Sequence, residues 1–274
     1  MINLNNISLI IYDSPISRAY MQILLEQNIV LDEVFYLNSK KNFFIPNYIT
    51  SYMNYKKNNF FPLKFINNDN IKDFIYKIEN YFSIKKNFIN EMFSFDLIYK
   101  ISKKVNFIGS DSINSKEILN QLKNKKLVLF NTGKELIKNE ILSEFNLIHI
   151  HPGYLPEFRG ADNSLHMILN NNSLGVSSFF VNKGIDTGKI ITRKKWLFKN
   201  FDFELQDSFT LKEKYMFWYS FVDPLLRAIE FKEIINLKHY ETLKLNDIQL
   251  ENEVSNYYSF MTDDDLKLVF KKIF

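Results

Sequence analysis

The stretch His149-Ile150-His151-Pro152-Gly153-Tyr154-Leu155-Pro156-Glu157-Phe158-Arg159-Gly160-Ala161, followed by Gly184-Ile185-Asp186-Thr187-Gly188, decides how this chain is read. The apolar residues before it make Leu147 to His151 a buried strand, so the imidazoles at i and i+2 share one face at its carboxyl end. That end of an open α/β sheet is where ligands bind. Val176 to Val181 reads as the next strand and delivers the glycine-bracketed turn that carries Asp186. Two imidazoles, one carboxylate and tight Gly/Pro turns therefore converge on one sheet edge.

Outward from this core, strand and helix signals alternate, the pattern of βαβ units around a mostly parallel sheet. Ile7 to Tyr12 reads as a strand buried on both faces, and Ser17 to Gln27 as an amphipathic helix. Further strands are expected at 34–37, 105–108 and 126–130. Helices are expected near 70–82, 84–101, 115–124, 135–142 and 164–169. Residues 42–95 are aromatic-rich and insertion-like. From about 197 longer helices follow, at 211–218 and 224–235. The fold class is α/β, with a core over 1–196 and a smaller, mainly helical C-terminal extension over 197–274 packed on it.

Composition narrows the function classes. A 46% hydrophobic chain of 274 residues has enough apolar matter for a sizeable core. The 35 basic and 31 acidic residues leave only +4, scattered along the chain, which argues weakly for a polyanion partner. Without cysteine, disulfides, thiolate metal sites and cysteine nucleophiles are excluded. The N-terminus has no basic and apolar leader pattern, and no apolar run approaches the roughly 20 residues of a membrane span, so a cytoplasmic location is expected. The turn after the first strand, Tyr12-Asp13-Ser14-Pro15-Ile16, contains no glycine, and GxGxxG and Walker-type loops are missing.

Several chemistries remain open at this point. His149, His151 and Asp186 form a conceivable metal set for a hydrolase. Two of the chain's four histidines in one element also fit hydrogen-bonded core residues less well than a site. Arg159-Gly160 is either a surface loop or a clamp for a carboxylate or phosphate. His166 and His239 read as structural.

The run from His151 to Ala161, and then Phe180-Val-Asn-Lys-Gly-Ile-Asp-Thr-Gly-Lys-Ile-Ile, resembles the folate-dependent formyltransferase family, which includes glycinamide-ribonucleotide, methionyl-tRNA and amino-sugar N-formyltransferases. Both parts of that family's signature occur in order, Asp186 lying 186 − 151 = 35 positions after His151. The resemblance implies a Rossmann-like core and transfer of a formyl group from 10-formyltetrahydrofolate to a primary amine, with no metal. It carries the catalytic roles onto His151, which polarises the carbonyl, and Asp186, which handles protons. His149 is an atypical oxyanion-side partner. It also implies a folate pocket walled by Asn131, Thr132, Gly133, Leu136 and Ile137 on one side and Gly184 and Ile185 on the other. Tyr154, Arg159, Gly160 and Asp162 fall on the acceptor side.

The chemistry suits these residue types. Attack on a formyl carbon puts negative charge on oxygen, and a fixed donor there is worth about 2–4 kcal/mol of barrier. A carboxylate beside an imidazole moves protons, typically for about 10²- to 10⁴-fold in rate. Three positions depart from the family pattern: His149 stands where the family has Asn, Asp162-Asn163 follow Ala161, and Lys189 replaces a Pro. An imidazole at 149 would take its charge from pH near its ordinary pKa of about 6.5. The helical tail and acidic Asp263-Asp264-Asp265 argue against initiator tRNA as acceptor. The expected partner is a small-molecule amine, with no nucleic acid and no membrane, and a homodimer is allowed. A nucleotide-linked amino sugar is preferred. Hydroxyornithine-type amines, glycinamide ribonucleotide and a catalytically silent folate-binding homologue are the alternatives.

Overall fold

The computed structural model describes residues 7–38, 46–123, 125, 128–133, 135–203, 209–236 and 254–274. Nine strands occur among them: β1 Ile7–Ile11, β2 Val34–Tyr36, β3 Val105–Phe107, β4 Val128–Asn131, β5 Asn146–His151, β6 Phe158–Gly160, β7 Ser173–Phe180, β8 Ile190–Leu197 and β9 Asn256–Tyr258. Seven of these make one sheet in the order β3-β2-β1-β4-β5-β7-β8. The first five in that order are mutually parallel, and β7 and β8 are antiparallel additions. The chain winds one way from β1 to β3 and the other way from β4 onward, so the crevice between β1 and β4 is the switch point where open sheets take ligands.

Every residue of β1 is buried, as its unbroken Ile-Ser-Leu-Ile-Ile requires when both faces are covered. The helix Pro15–Glu26 follows, with Pro15 at its first position, where the ring's fixed φ and missing N–H cost nothing. It buries Ala19, Tyr20, Ile23 and Leu24. The long helix Asp223–Asn236 packs against it, Tyr20 stacking on Phe231 at 4.5 Å while Phe130 of β4 meets Phe231 edge-on at 4.9 Å.

The aromatic wealth of the 47–101 region has a packing reason. Its helices include Asn47–Asn58, Phe60–Phe65 and Asp69–Tyr81, and they pack on the C-terminal segments: Phe61 and Phe65 against Phe217, Phe74 against Phe203 and Phe274. The two parts that read as an insertion and an extension thus share one core with the sheet.

Several expected elements differ. The single helix over 84–101 is two short ones, Phe88–Met92 and Leu97–Lys100. Asn87 sits in the left-handed region at φ 68°, and the carboxylate of Glu79 accepts the N–H groups of Asn87 and Ile89 and so fixes a fresh helix start. The helix expected over 135–142 is reduced to Asn139–Leu142. Strand β8 was not foreseen, because its outer half, Thr-Arg-Lys-Lys, carries charge along a partly exposed sheet edge. Asp263, Asp264 and Asp265 form the first turn of the helix Asp263–Ile273, capped by Thr262, where acids complement the helix dipole. Lys126, Leu127, His239 and parts of the 42–95 and 197–274 segments lie outside the described residues. No described helix is long and apolar enough to cross a membrane.

Candidate active site

The carboxyl ends of β1, β4 and β5 open onto a cavity of about 600 Å³. His151 closes β5 at its inner end and is 3% exposed. Its Nε2 lies 3.0 Å from the carbonyl oxygen of Phe158, and its Nδ1 lies 3.5 Å from Oδ2 of Asp186. Both neighbours are acceptors, so the ring is offered a proton partner on each side. Burial lowers its pKa below the ordinary histidine value while the Asp186 carboxylate pulls the other way.

The loop between His151 and Gly160 is shaped around that ring. A Cβ on Gly153 would stand 2.8 Å from His151 Nε2 and 2.9 Å from Asn163 Cβ, so only glycine leaves room. Ser177 of β7 pins the loop by accepting the Leu155 N–H and donating to the Gly153 carbonyl. Gly160, at φ 102°, donates its N–H to Oδ2 of Asp186 at 2.9 Å. That bond ties the end of the His-Pro loop to the turn carrying the carboxylate. Asp186 itself has φ 52°, and the Asn182 side chain gathers its turn by accepting from Gly184 N–H and the Thr187 hydroxyl.

His149 lies in the middle of β5, where the ladder to β4 ends at Phe130–Ile148 and the two strands part. Its Nδ1 is 3.4 Å from the Asn131 carbonyl, and Nη1 of Arg227 donates to its Nε2 at 3.4 Å. Burial first, and the Arg227 guanidinium second, lower its pKa to about 3. The partly buried ring is thus biased toward its neutral form, against the charge change near pH 6.5 that the sequence suggests.

All the residues expected in the folate pocket, Asn131, Thr132, Gly133, Leu136, Ile137, Gly184 and Ile185, line this one cavity together with His149, His151 and Asp186. Leu136 and Ile185 are 70% and 40% exposed.

On the acceptor side the outcome divides. Gly160 and Asp162 line the cavity, but Asp162 is spoken for by the protein: its carboxylate accepts the hydroxyls of Tyr215 and Tyr219 and the N–H of Met261. Tyr154 does not line the cavity. Its ring lies beneath Arg193 and Lys195, 4.6 and 5.5 Å from the cations. Arg159 lines a second space of about 240 Å³ beside Pro156 and Thr187, which Asp186 also borders. A sequence places both on the loop but cannot say which way the loop faces.

Sequence reasoning missed the contribution of the C-terminal segment. A π-helical turn, Trp218–Val222, brings Tyr219 and Ser220 to the cavity, and the helix after it brings Asp223 and Arg227. Such turns recur at functional sites. The available signal was the acid and base at i, i+4 in the otherwise apolar Asp-Pro-Leu-Leu-Arg-Ala-Ile. Among the described residues no group of three or more His, Asp or Glu stands close enough to hold a metal ion.

Residues 102–205 match the formyl transferase family. The match spans His151, Gly160 and Asp186, which carry the resemblance, and His149, which departs from it. Among curated proteins the chain is similar to the methionyl-tRNA formyltransferase of Halothermothrix orenii, 30% identical over 104 residues, which are 36% of this chain and 32% of that protein. The methionyl-tRNA formyltransferase of Thermotoga sp. (strain RQ2) is 26% identical over 179 residues, 62% of this chain and 51% of that one. The chain thus spans about half or less of the length of these relatives. Among solved structures, a sugar N-formyltransferase from Shewanella sp. is 12% identical, with a TM-score of 0.47 over 97% of this chain and 87% of that one. A phosphoribosylglycinamide formyltransferase from Bacillus halodurans is 14% identical, with a TM-score of 0.44 over 84% and 95%. The formyl transferase segment ends at 205, before the helix that supplies Asp223 and Arg227.

Proposed function

We propose that this protein transfers a formyl group from 10-formyltetrahydrofolate to the primary amine of a small acceptor, a nucleotide-linked amino sugar before other amines. The observation that carries the reading is the triangle of His151, Asp186 and the Gly160 N–H at the floor of a cavity whose apolar wall is exposed. When bound, 10-formyltetrahydrofolate supplies the carbon at the formyl oxidation level.

The chain's own residues do the rest. Leu136, Ile137, Val181 and Ile185 offer apolar surface to the ring system, and the backbone around Asn131 to Gly133 offers polar groups at its edge. His151 presents an imidazole held between the Phe158 carbonyl and the Asp186 carboxylate, and an N–H turned from either contact toward developing negative charge is stabilising. Asp186 Oδ2, held by the Gly160 N–H, takes a proton at the Nδ1 side of that ring. The cavity is also lined by Asn58, Phe61, Tyr215, Tyr219 and Phe260. Aromatic faces suit a nucleotide base better than a bare aliphatic amine, although the hydroxyls of Tyr215 and Tyr219 are already given to Asp162. Phe260 is 74% exposed and free to be covered.

The test is release of tetrahydrofolate by the purified protein across a panel of amines. Dependence on a UDP- or dTDP-linked amino sugar supports the reading in full. Dependence on methionyl-tRNA, the acceptor in the curated relatives' names, keeps formyl transfer and replaces the acceptor. Tetrahydrofolate binding with no release for any amine refutes transfer and favours the silent folate-binding alternative.

A further inference from the structure

An imidazole at position 149 creates a problem that the structure answers with a residue outside the formyl transferase segment. A neutral ring has one donor and one acceptor nitrogen, and which is which depends on its partners. At His149 the partners leave no choice. The Asn131 carbonyl at Nδ1 can only accept, and the Arg227 guanidinium at Nε2 can only donate. Arg227 is itself fixed: Nε donates to Asp223 Oδ2 at 2.8 Å, and Nη1 also donates to the carbonyl of Ile150, the residue between the two histidines. Asp223 is fully buried and its Oδ1 has no partner, so the pair is held at a cost that ordinary packing would avoid.

We infer that Arg227 is a positioning residue of this site: it locks His149 in the Nδ1–H tautomer and makes the fixed guanidinium, not the imidazole, the cation at this end of β5. The consequence for the reaction rests on the formyl-transfer reading. His149 Nε2 accepts and does not donate, so the ring does not supply an N–H to the reacting oxygen. Arg227, itself in the cavity wall and paired with Asp223, holds its charge there at every working pH and offers the potential of its outer guanidinium edge. The charged and titratable groups facing His149 are Arg227 and, behind it, Asp223 from the helix Asp223–Asn236, His151 from β5 and Asp186 from its turn; β4 presents the Asn131 carbonyl and β7 the Phe179 ring. Both the guanidinium and burial disfavour a second proton on the ring.

The direct test needs no substrate. In ¹⁵N-histidine-labelled protein, with His149→Asn used to assign the signal, His149 is expected as one tautomer protonated on Nδ1 and unchanged from pH 8 to pH 5. A ring protonated on Nε2, or one that titrates near pH 6.5, overturns the inference. The pair variant Asp223→Leu/Arg227→Met removes both charges together and leaves neither buried alone. If folded, it is expected to show mixed tautomers and a titration moved up toward the ordinary histidine value. Turnover is expected to fall between about tenfold and 10²-fold, the cost of a misplaced group. In a His149→Asn background the same pair change is expected to add a smaller loss than it causes in the wild type, since only the part that runs through the His149 tautomer is already gone. A folded pair variant with the tautomer and turnover intact refutes the positioning role and leaves formyl transfer standing. A chain inactive toward every amine refutes formyl transfer and leaves the tautomer to be read on its own.

Discussion

Two buried arginine–aspartate pairs flank the same strand ends, and they are built differently. Arg18 and Asp13 are 1% and 3% exposed and satisfied on every side. Nε and Nη2 grip the two carboxylate oxygens at 2.8 and 2.9 Å, Nη1 donates to the Ser94 carbonyl, and Tyr36 and Asn59 donate to Asp13 as well. The guanidinium also lies 4.2 Å from the Tyr55 ring. Arg227 and Asp223 share one bond at 2.8 Å, leave Asp223 Oδ1 without a partner and spend Nη1 on Ile150 and His149. A fully paired buried network fastens structure, here the 47–101 helices to β1. An incompletely paired one beside a cavity keeps capacity for chemistry.

The contrast can be broken by mutation. Arg18→Leu leaves Asp13 buried without its cation and is expected to cost about 3–5 kcal/mol in denaturant unfolding, with turnover per folded molecule unchanged. Asp223→Asn is expected to cost less, about 1–3 kcal/mol, because the amide oxygen still accepts from Arg227 Nε and the guanidinium borders the cavity, but to lower turnover more than Arg18→Leu does. Equal stability losses, or an activity loss confined to Arg18→Leu, would remove the distinction.

Acid sharpens it. His149 and His151 have lowered pKa values in the folded protein, His149 about 3, against about 6.5 when unfolded. Below pH 6.5 the unfolded chain therefore binds more protons, and stability falls as pH drops. The wild type is expected to lose more stability between pH 7 and pH 5 than His149→Asn, read as the difference between their denaturant midpoints. Parallel curves would mean that the ring is already charged in the folded state.

The smallest effect is expected at Glu230, which lies on the same helix as Arg227 but faces Ser178 and Thr192. Burial raises its pKa, and its Oε2 has no partner. A raised carboxyl favours folding below its unfolded pKa of about 4.5 and loses that contribution as pH rises through the folded value. Glu230→Gln is expected to stabilise by less than about 1 kcal/mol at pH 8 and to change nothing at pH 4. Stabilisation at both pH values would point to packing instead of charge.

The sequence makes the pattern around β1, β4 and β5 legible because buried parallel strands read as continuous apolar runs and because His151 and Asp186 sit between glycines and prolines that few other turns need. Tyr154 and Arg159 are legible as loop residues but not in orientation, since the bonds of Ser177 to Gly153 and Leu155 that turn the loop come from another strand. Arg227 is the hardest case. Its helix reads from periodicity, but nothing local tells an i, i+4 ion pair on a surface from one thrust between two parting strands 78 residues away in sequence. The Asn87 break and the charged half of β8 were hidden for a similar reason, since tertiary contacts outweigh local propensity there.

The central claim is most directly tested by amine-dependent tetrahydrofolate release, compared between the wild type and a His151→Ala variant whose folding has been checked by circular dichroism. The account predicts release that requires both an amine and His151, with a drop on the order of 10²-fold or more in the variant. Release at near wild-type rate without His151 would contradict it.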